Sequence, residues 1–302
     1  MIAINLINCN NGSITTFTDG CAVKPEEFVK AIIFHPSVKL DLTTTTLDDA
    51  TIGLLTKKKL IYPFETCLMI EALDAKSNLE TQKNKNEIKI NDGLVKFNLK
   101  FKGNDCLEKA IRKMEGRNWR IGFVDALGRF WMDYSDNKLK GFEVQMLDVD
   151  GVKLSDSSSA TTSFMVGLQF SRSGTEGWNK RRVLVGTDVY DFYPRNGVEA
   201  VTLSNVSTTA ANFTVKVISG CDNSTPKEGL VTTNFRLVDT VSGLSVTTTV
   251  SDLGGGLYKL SGAAVVAGTY TYQLYDSLNN LPVADILNTQ FLQSNVQTVV
   301  LT

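Results

Sequence analysis

A chain of 302 residues with 42% hydrophobic and 21% charged residues can fill one large or two ordinary globular domains, which excludes wholesale disorder. The formal net charge is −1, with no Lys/Arg-rich tail or stripe, which argues against tight nucleic-acid binding through phosphate neutralisation. No run of about 18 apolar residues is present to span a membrane, and the opening MIAINLINCNNGS lacks the basic start and apolar run of a secretory signal. The expectation is a soluble protein made in a cytoplasm. Its five cysteines, Cys9, Cys21, Cys67, Cys106 and Cys221, are scattered without a C-x-x-C pair, so buried free thiols are expected.

Met1 to Val23 alternates apolar and small polar residues around Asn10-Asn11-Gly12, as an opening strand or hairpin does. Pro25, Glu26 and Glu27 look like the first turn of a helix continued by Phe28, Val29, Ile32 and Ile33 and stopped by Pro36. Leu40 to Thr46 reads as a strand, and Leu47 to Leu55 fits either a helical turn or a loop. Phe64 to Leu73 and Ile88 to Phe101 read as strands. The second puts Val95, Phe97, Leu99 and Phe101 on one face and Lys96, Asn98, Lys100 and Lys102 on the other. Between them Asp74 to Glu87 is almost entirely polar, and a long exposed connection is expected, ordered by a partner.

A helix capped by Asp105 and ended by Gly116 carries Leu107, Ala110, Ile111 and Met114 on one side. A hairpin follows, Trp119 to Val124 and Arg129 to Met132 around Asp125-Ala126-Leu127-Gly128, whose Trp119, Phe130 and Trp131 are expected to pack between helix and sheet. Leu139 to Leu147 is a strand, Asp148 to Gly151 a turn, Ser155 to Ser163 a loop, Phe164 to Phe170 a strand and Gly174 to Gly177 a turn. Basic Lys180, Arg181 and Arg182 precede Val183 to Val185.

Composition changes near residue 200. Lys plus Arg number 27 in residues 1 to 200 and 4 afterwards; Asp plus Glu number 26 and 6. In the low-charge part, strands are expected at Phe213 to Ile218, Asn234 to Val238, Ser245 to Val250, Gly256 to Leu260, Thr269 to Tyr275 and Val296 to Leu301, the spacing of an antiparallel sandwich. The domain boundary falls at Tyr193 to Gly197, where Pro194, Asn196 and Gly197 break the pattern.

No catalytic, cofactor-binding or metal-ligating set emerges, and the chain is not expected to be an enzyme. His35 is the only histidine, with no G-x-S-x-G elbow and no cysteine beside it in sequence. Gly254-Gly255-Gly256 lacks the Lys and Ser/Thr of a phosphate-binding loop. Asp148-Val149-Asp150-Gly151 lacks the third oxygen ligand and the distal glutamate of a calcium loop.

The order from Ile88 to Val185, an alternating strand, the helix LEKAIRKMEG, the hairpin WRIGFVDALGRFWM, the strand LKGFEVQML, then FMVGLQF before RRVLV, resembles tail and neck structural proteins of tailed bacteriophages, most of all the tail-tube type. The resemblance covers roughly residues 60 to 190 and has no invariant motif. It implies a mainly β fold with one or two short helices: a sandwich or barrel flanked by a helix over residues 1–195, then an immunoglobulin-like sandwich over 196–302. It further implies a virion location, assembly with copies of itself into a ring or tube beside other virion proteins, and only non-specific contact with passing DNA, with no cofactor and no membrane. The competing readings are a capsid or capsid-decoration protein, including a double-barrel capsid protein with its second barrel after residue 160, and a cell-surface adhesin. In the adhesin, Tyr258, Tyr270, Tyr272 and Tyr275 would stack on sugars.

Overall fold

The computed structural model describes residues 27–41, 44–45, 47–73, 78–81, 87–91, 93–153, 162–186, 190–286 and 290–302. The strand or hairpin expected over residues 1–23 lies outside them. The protein is mainly β, with several sheets, one of them a curled half-barrel. It divides into two compact units, Met1–Ile52 with Leu60–Arg195, and Gly53–Lys59 with Asn196–Thr302.

Unit 1 begins with β1 (Phe28–Phe34), β2 (Leu40–Asp41), α1 (Asp49–Lys57, its last residues counted with unit 2), β3 (Ile61–Pro63) and β4 (Met69–Leu73). The segment read as a helix from Pro25 is therefore a strand. FVKAIIF is aromatic and branched, and it pairs with both β3 and the strand from Trp119, so tertiary pairing outweighs the local helix signal. A separate two-stranded hairpin follows, β5 (Asn78–Thr81) and β6 (Glu87–Asn91), then β7 (Lys96–Lys102). The stretch read as one strand from Ile88 is thus divided between β6 and β7, with Gly93, Leu94 and Val95 outside either strand.

Helix α2 (Asp105–Arg112) is capped one residue earlier than expected, by Asn104, whose side chain accepts from the Cys106 and Leu107 amides. Then come β8 (Trp119–Asp125), β9 (Phe130–Ser135), β10 (Lys138–Lys140), β11 (Phe142–Lys153), β12 (Ser163–Phe170), α3 (Arg172–Lys180) and β13 (Arg182–Val185). The sheet order is β2-β10-β9-β8-β11-β12-β7-β4, with β1 also on β8 and β13 on β9. The expected turn at Asp148 to Gly151 is continuous strand, because β11 keeps its ladder with β12 past it.

The β8–β9 turn is organised by a fully buried carboxylate. Asp125 accepts hydrogen bonds from the Leu127 and Arg129 amides, the Arg129 Nε at 2.8 Å and the Trp131 indole at 3.0 Å. Each such charge-assisted bond stabilises by about 1.5–3 kcal/mol.

Gly174 to Gly177, read as a turn, lies inside α3. Ser171 caps this helix through the Gly174 amide, and glycine permits its approach. A Cβ at Gly174 would overlap the Glu143 carbonyl oxygen, and one at Gly177 would lie 2.7 Å from the Asp133 carboxylate. Arg181 grips that carboxylate with two bonds at 3.0 and 3.1 Å. Seated this closely, α3 places Trp178 among Phe97 and Phe142, both 5.1 Å between ring centroids, and Phe28, Phe123 and Phe170. Arg182 stacks over the same indole at 4.5 Å.

Unit 2 comprises β14 (Val198–Thr209), β15 (Asn212–Ser219), β16 (Phe235–Asp239), β17 (Ser245–Val246), β18 (Thr249–Gly254), β19 (Leu257–Ser261), β20 (Gly268–Leu274), β21 (Ala284–Ile286), β22 (Gln290–Ser294) and β23 (Gln297–Leu301). They form two sheets, β18-β19-β15-β14-β22-β21 and β17-β16-β20-β23, whose inner faces meet through Phe213, Val215, Tyr258 and Leu260 on one side and Leu237, Tyr270, Tyr272 and Leu274 on the other. One pair departs from the antiparallel expectation: β14 and β22 run parallel.

Cys67 is a buried free thiol as expected, whereas Cys106 and Cys221 are disulfide-bonded, which corrects the free-thiol expectation for those two.

Inside an ordinary helix, Gly→Ala stabilises by up to about 1 kcal/mol. At Gly174 the added methyl meets backbone, so Gly174→Ala is expected to destabilise the protein by about 2–4 kcal/mol in chemical denaturation. An unchanged or raised stability would contradict the seating of α3.

Candidate assembly surface

Among the described residues the half-barrel ends at β4. Its pairing with β7 runs from Met69↔Lys100 to Leu73↔Lys96, and it stands last in the sheet order. Leu68, Met69 and Leu73 are 49%, 38% and 37% exposed at this edge. Terminal strands bearing apolar side chains are pairing sites for another chain unless charge or a bulge blocks them. Between β4 and β7 in the chain stands the β5–β6 hairpin, with Asn78 opposite Asn91 and Thr81 opposite Glu87. The polar Asp74 to Glu87 segment thus contains a strand, where an irregular connection was expected. Main-chain pairing needs no apolar face, so polarity hid the strand, while an isolated two-stranded hairpin remains marginal without further support.

The His35 imidazole is exposed, bonds the Ser37 hydroxyl at 2.7 Å through Nδ1 and meets Trp119 edge-on, a local turn geometry. Gly254 to Gly256 form the turn between β18 and β19, as the sequence indicated. Trp119, Phe130 and Trp131 are buried core residues. Tyr258, Tyr270, Tyr272 and Tyr275 are 0%, 4%, 1% and 8% exposed, so no sugar reaches their rings. Their hydroxyls are bound inward as well, Tyr258 donating to the Lys227 carbonyl and Tyr272 to Asn205 at 2.6 Å. Among the described residues no group of three or more His, Cys, Asp or Glu side chains is arranged to hold a metal ion, and no helix is long and apolar enough to cross a membrane.

Two buried lysines escaped the sequence reading. In unit 1, Lys30 on β1 is 1% exposed and donates to the carbonyls of Tyr193, at 2.9 Å, and Arg195. Burial pushes its ammonium down to about 8, and burial likewise pushes the nearby Cys67 thiol up to about 12. Lys30 ties the last residues of unit 1 back to its first described strand. In unit 2, Lys57 bonds Asp276 at 2.6 Å and Asp285 at 2.8 Å, and Asn279 donates to Asp276. Burial alone would lower Lys57, but its two carboxylate bonds outweigh it and raise the group; burial alone would raise Asp276, but the Lys57 and Asn279 bonds hold it below its usual value. Lys57 lies on a helix, and Asp276 and Asp285 stand far along the chain from it, a separation that no motif spans.

No protein-family model and no curated protein matches the chain. Among solved structures the chain is similar to the Bacteroides ovatus mixed-linkage glucan utilization locus protein SGBP-B, solved with a mixed-linkage heptasaccharide, at 12% identity and a TM-score of 0.18. The match covers 75% of this chain and 60% of that chain. A superposition this loose carries no argument about fold or function.

The Lys57 cluster sets a pH dependence. Asp276 is lowered on folding, so its contribution is present above about pH 4 and lost as pH falls through the folded value. Lys57 is raised, so its contribution is present below about pH 10 and lost as pH rises through its folded value. Lys57→Met removes the cation from buried Asp276 and is expected to cost about 3 kcal/mol at pH 7, a loss that shrinks in acid as Asp276 protonates. Urea unfolding followed by circular dichroism at several pH values measures this, and a pH-independent difference would contradict it.

Proposed function

We propose that the chain is a self-assembling structural protein, a bacteriophage virion component of the tail-tube or neck-ring type. In this reading unit 1 joins copies of itself, and unit 2 is carried as an appended sandwich. The observation that carries the reading is the β5–β6 hairpin following, in the chain, an apolar strand that is terminal among the described residues. A hairpin of this size gains a fold by lying against a neighbour, and β4 offers such a neighbour its edge. The resemblance of residues 60 to 190 to tail-tube proteins points the same way. The adhesin reading loses its proposed stacking residues to the core. A double-barrel capsid protein would place an eight-stranded barrel after residue 160; here a ten-stranded, two-sheet sandwich starts at Val198.

Electron microscopy of the concentrated, purified protein tests this. Rings or tubes are expected, and they are expected to vanish when residues 76–90 are replaced by a short Gly-Ser turn that leaves thermal unfolding unchanged. A strictly monomeric sample at high concentration would overturn the reading.

A further inference from the structure

The outer face of the half-barrel has a charge pattern that the edge and hairpin do not use. Along β7, Lys96, Lys100 and Lys102 point outward, opposite to buried Phe97, Leu99 and Phe101. Two strands away on β11, exposed Asp148 and Asp150 alternate with buried Leu147 and Val149. Strand β12 lies between, and the registers are explicit: Lys100 and Asp150 both stand opposite Met165, while Asn98 and Asp148 both stand opposite Gly167. A lysine column and an aspartate column thus flank β12 at equal distances, each about 4.8 Å from it.

Gly167 supplies a second, independent observation. It lies in the middle of β12 without a positive φ, and a Cβ there would meet nothing nearer than the Asp148 carbonyl at 3.9 Å. Among the described residues nothing requires glycine at this position. Glycine in a strand interior weakens it, and commonly marks a place where another backbone approaches closely.

We propose that this face is an isologous interface that takes the same face of a second copy, with Lys96 and Lys100 of each copy over Asp148 and Asp150 of the other. The two-fold axis runs along β12 above Gly167. Rotation about that axis exchanges the β7 and β11 columns while keeping each residue's level along the strand, so Lys100 meets the second copy's Asp150. Asp148 falls between the levels of Lys96 and Lys100. Stacked sheets lie about 10 Å apart, a gap that a lysine from one side and an aspartate from the other span together. Met146, 48% exposed and level with Lys96 through Gln169, packs against the lysine stem of the other copy. A self-complementary charge pattern excludes other partners and sets orientation. The interface goes beyond the ring reading, since it uses the sheet face and predicts a discrete two-copy species.

Sedimentation velocity on the full chain at low salt tests it. The wild type is expected to show a two-copy species that weakens with added salt. Lys96→Asp with Lys100→Asp creates two acidic columns, and Asp148→Lys with Asp150→Lys two basic ones. Each double variant alone is expected to lose at least about tenfold in self-affinity, and an equimolar mixture of the two is expected to recover it. Gly167→Trp, whose Cβ meets only the Asp148 carbonyl at 3.9 Å among the described residues, is expected to abolish pairing without lowering the melting temperature. The two-copy species is expected to survive replacement of residues 76–90, which separates this interface from ring formation. A wild type that stays monomeric, variants that pair as the wild type does, or a mixture that fails to recover pairing would overturn the proposal. Salt-sensitive binding of duplex DNA by a monomeric wild type, lost in the Lys→Asp variant, would also overturn it and assign the face to a polyanion.

Discussion

Helix α3 can sit on the sheet of unit 1 only because two of its residues have no side chain. Gly174 presses on the Glu143 carbonyl and Gly177 on the Asp133 carboxylate, and Arg181 locks the second contact with a two-pronged bond. That seating delivers Trp178 to the five phenylalanine rings that fill the half-barrel. Truncating a ring in such a cluster costs about 3–5 kcal/mol. Strand periodicity carries the constraint outward: once Phe97, Leu99 and Phe101 are committed to the interior, Lys96, Asn98, Lys100 and Lys102 must face solvent. The same logic sets Asp148 and Asp150 on the outside of β11. The packing of the core therefore writes the charge pattern of the surface.

Unit 2 uses its few charges differently. Its strands fill a sandwich with branched and tyrosine side chains, and the tyrosine hydroxyls find partners at the margins of the core. The buried exception is Lys57 between Asp276 and Asp285, which fastens the short Gly53–Lys59 segment to the strands of the unit it belongs with. A buried ion cluster of this kind adds little over a well-packed apolar substitute, but removing one member leaves an uncompensated charge. It specifies which segment docks there more than it adds to net stability.

Much of the architecture is legible in the residues. The mainly β class, the α2–β8–β9 core with its tryptophans, and five strands of unit 2 follow from alternation and turn chemistry, whereas Ser245 to Val250, expected as one strand, is divided between β17 and β18 in different sheets. The failures have physical causes. Phe28–Phe34 carries a helix-start signal but is claimed by two neighbouring strands, and RSGTEGWNK has poor helix propensity that close packing overrides. Strand β5 escaped because its segment is polar and its pairing is carried by the backbone. Lys30 and the Lys57 cluster had no local signature, since their partners lie at the far end of the chain, whereas Asp125 stands in the turn the sequence marks and its partners lie within six residues. The tyrosines on alternate strand positions were ambiguous between two faces, and only the sandwich decided which face is core.

In the proposed reading the contacts that matter lie at edges and faces, where no motif announces them. On the proposed reading the β5–β6 hairpin becomes stably ordered against a neighbouring copy. Hydrogen exchange at the backbone amides of Asn78–Thr81 and Glu87–Asn91, compared between dilute isolated protein and assembled protein, measures this directly. Exchange slowed by at least about tenfold on assembly is expected; equal protection in both states would contradict ordering against a neighbour.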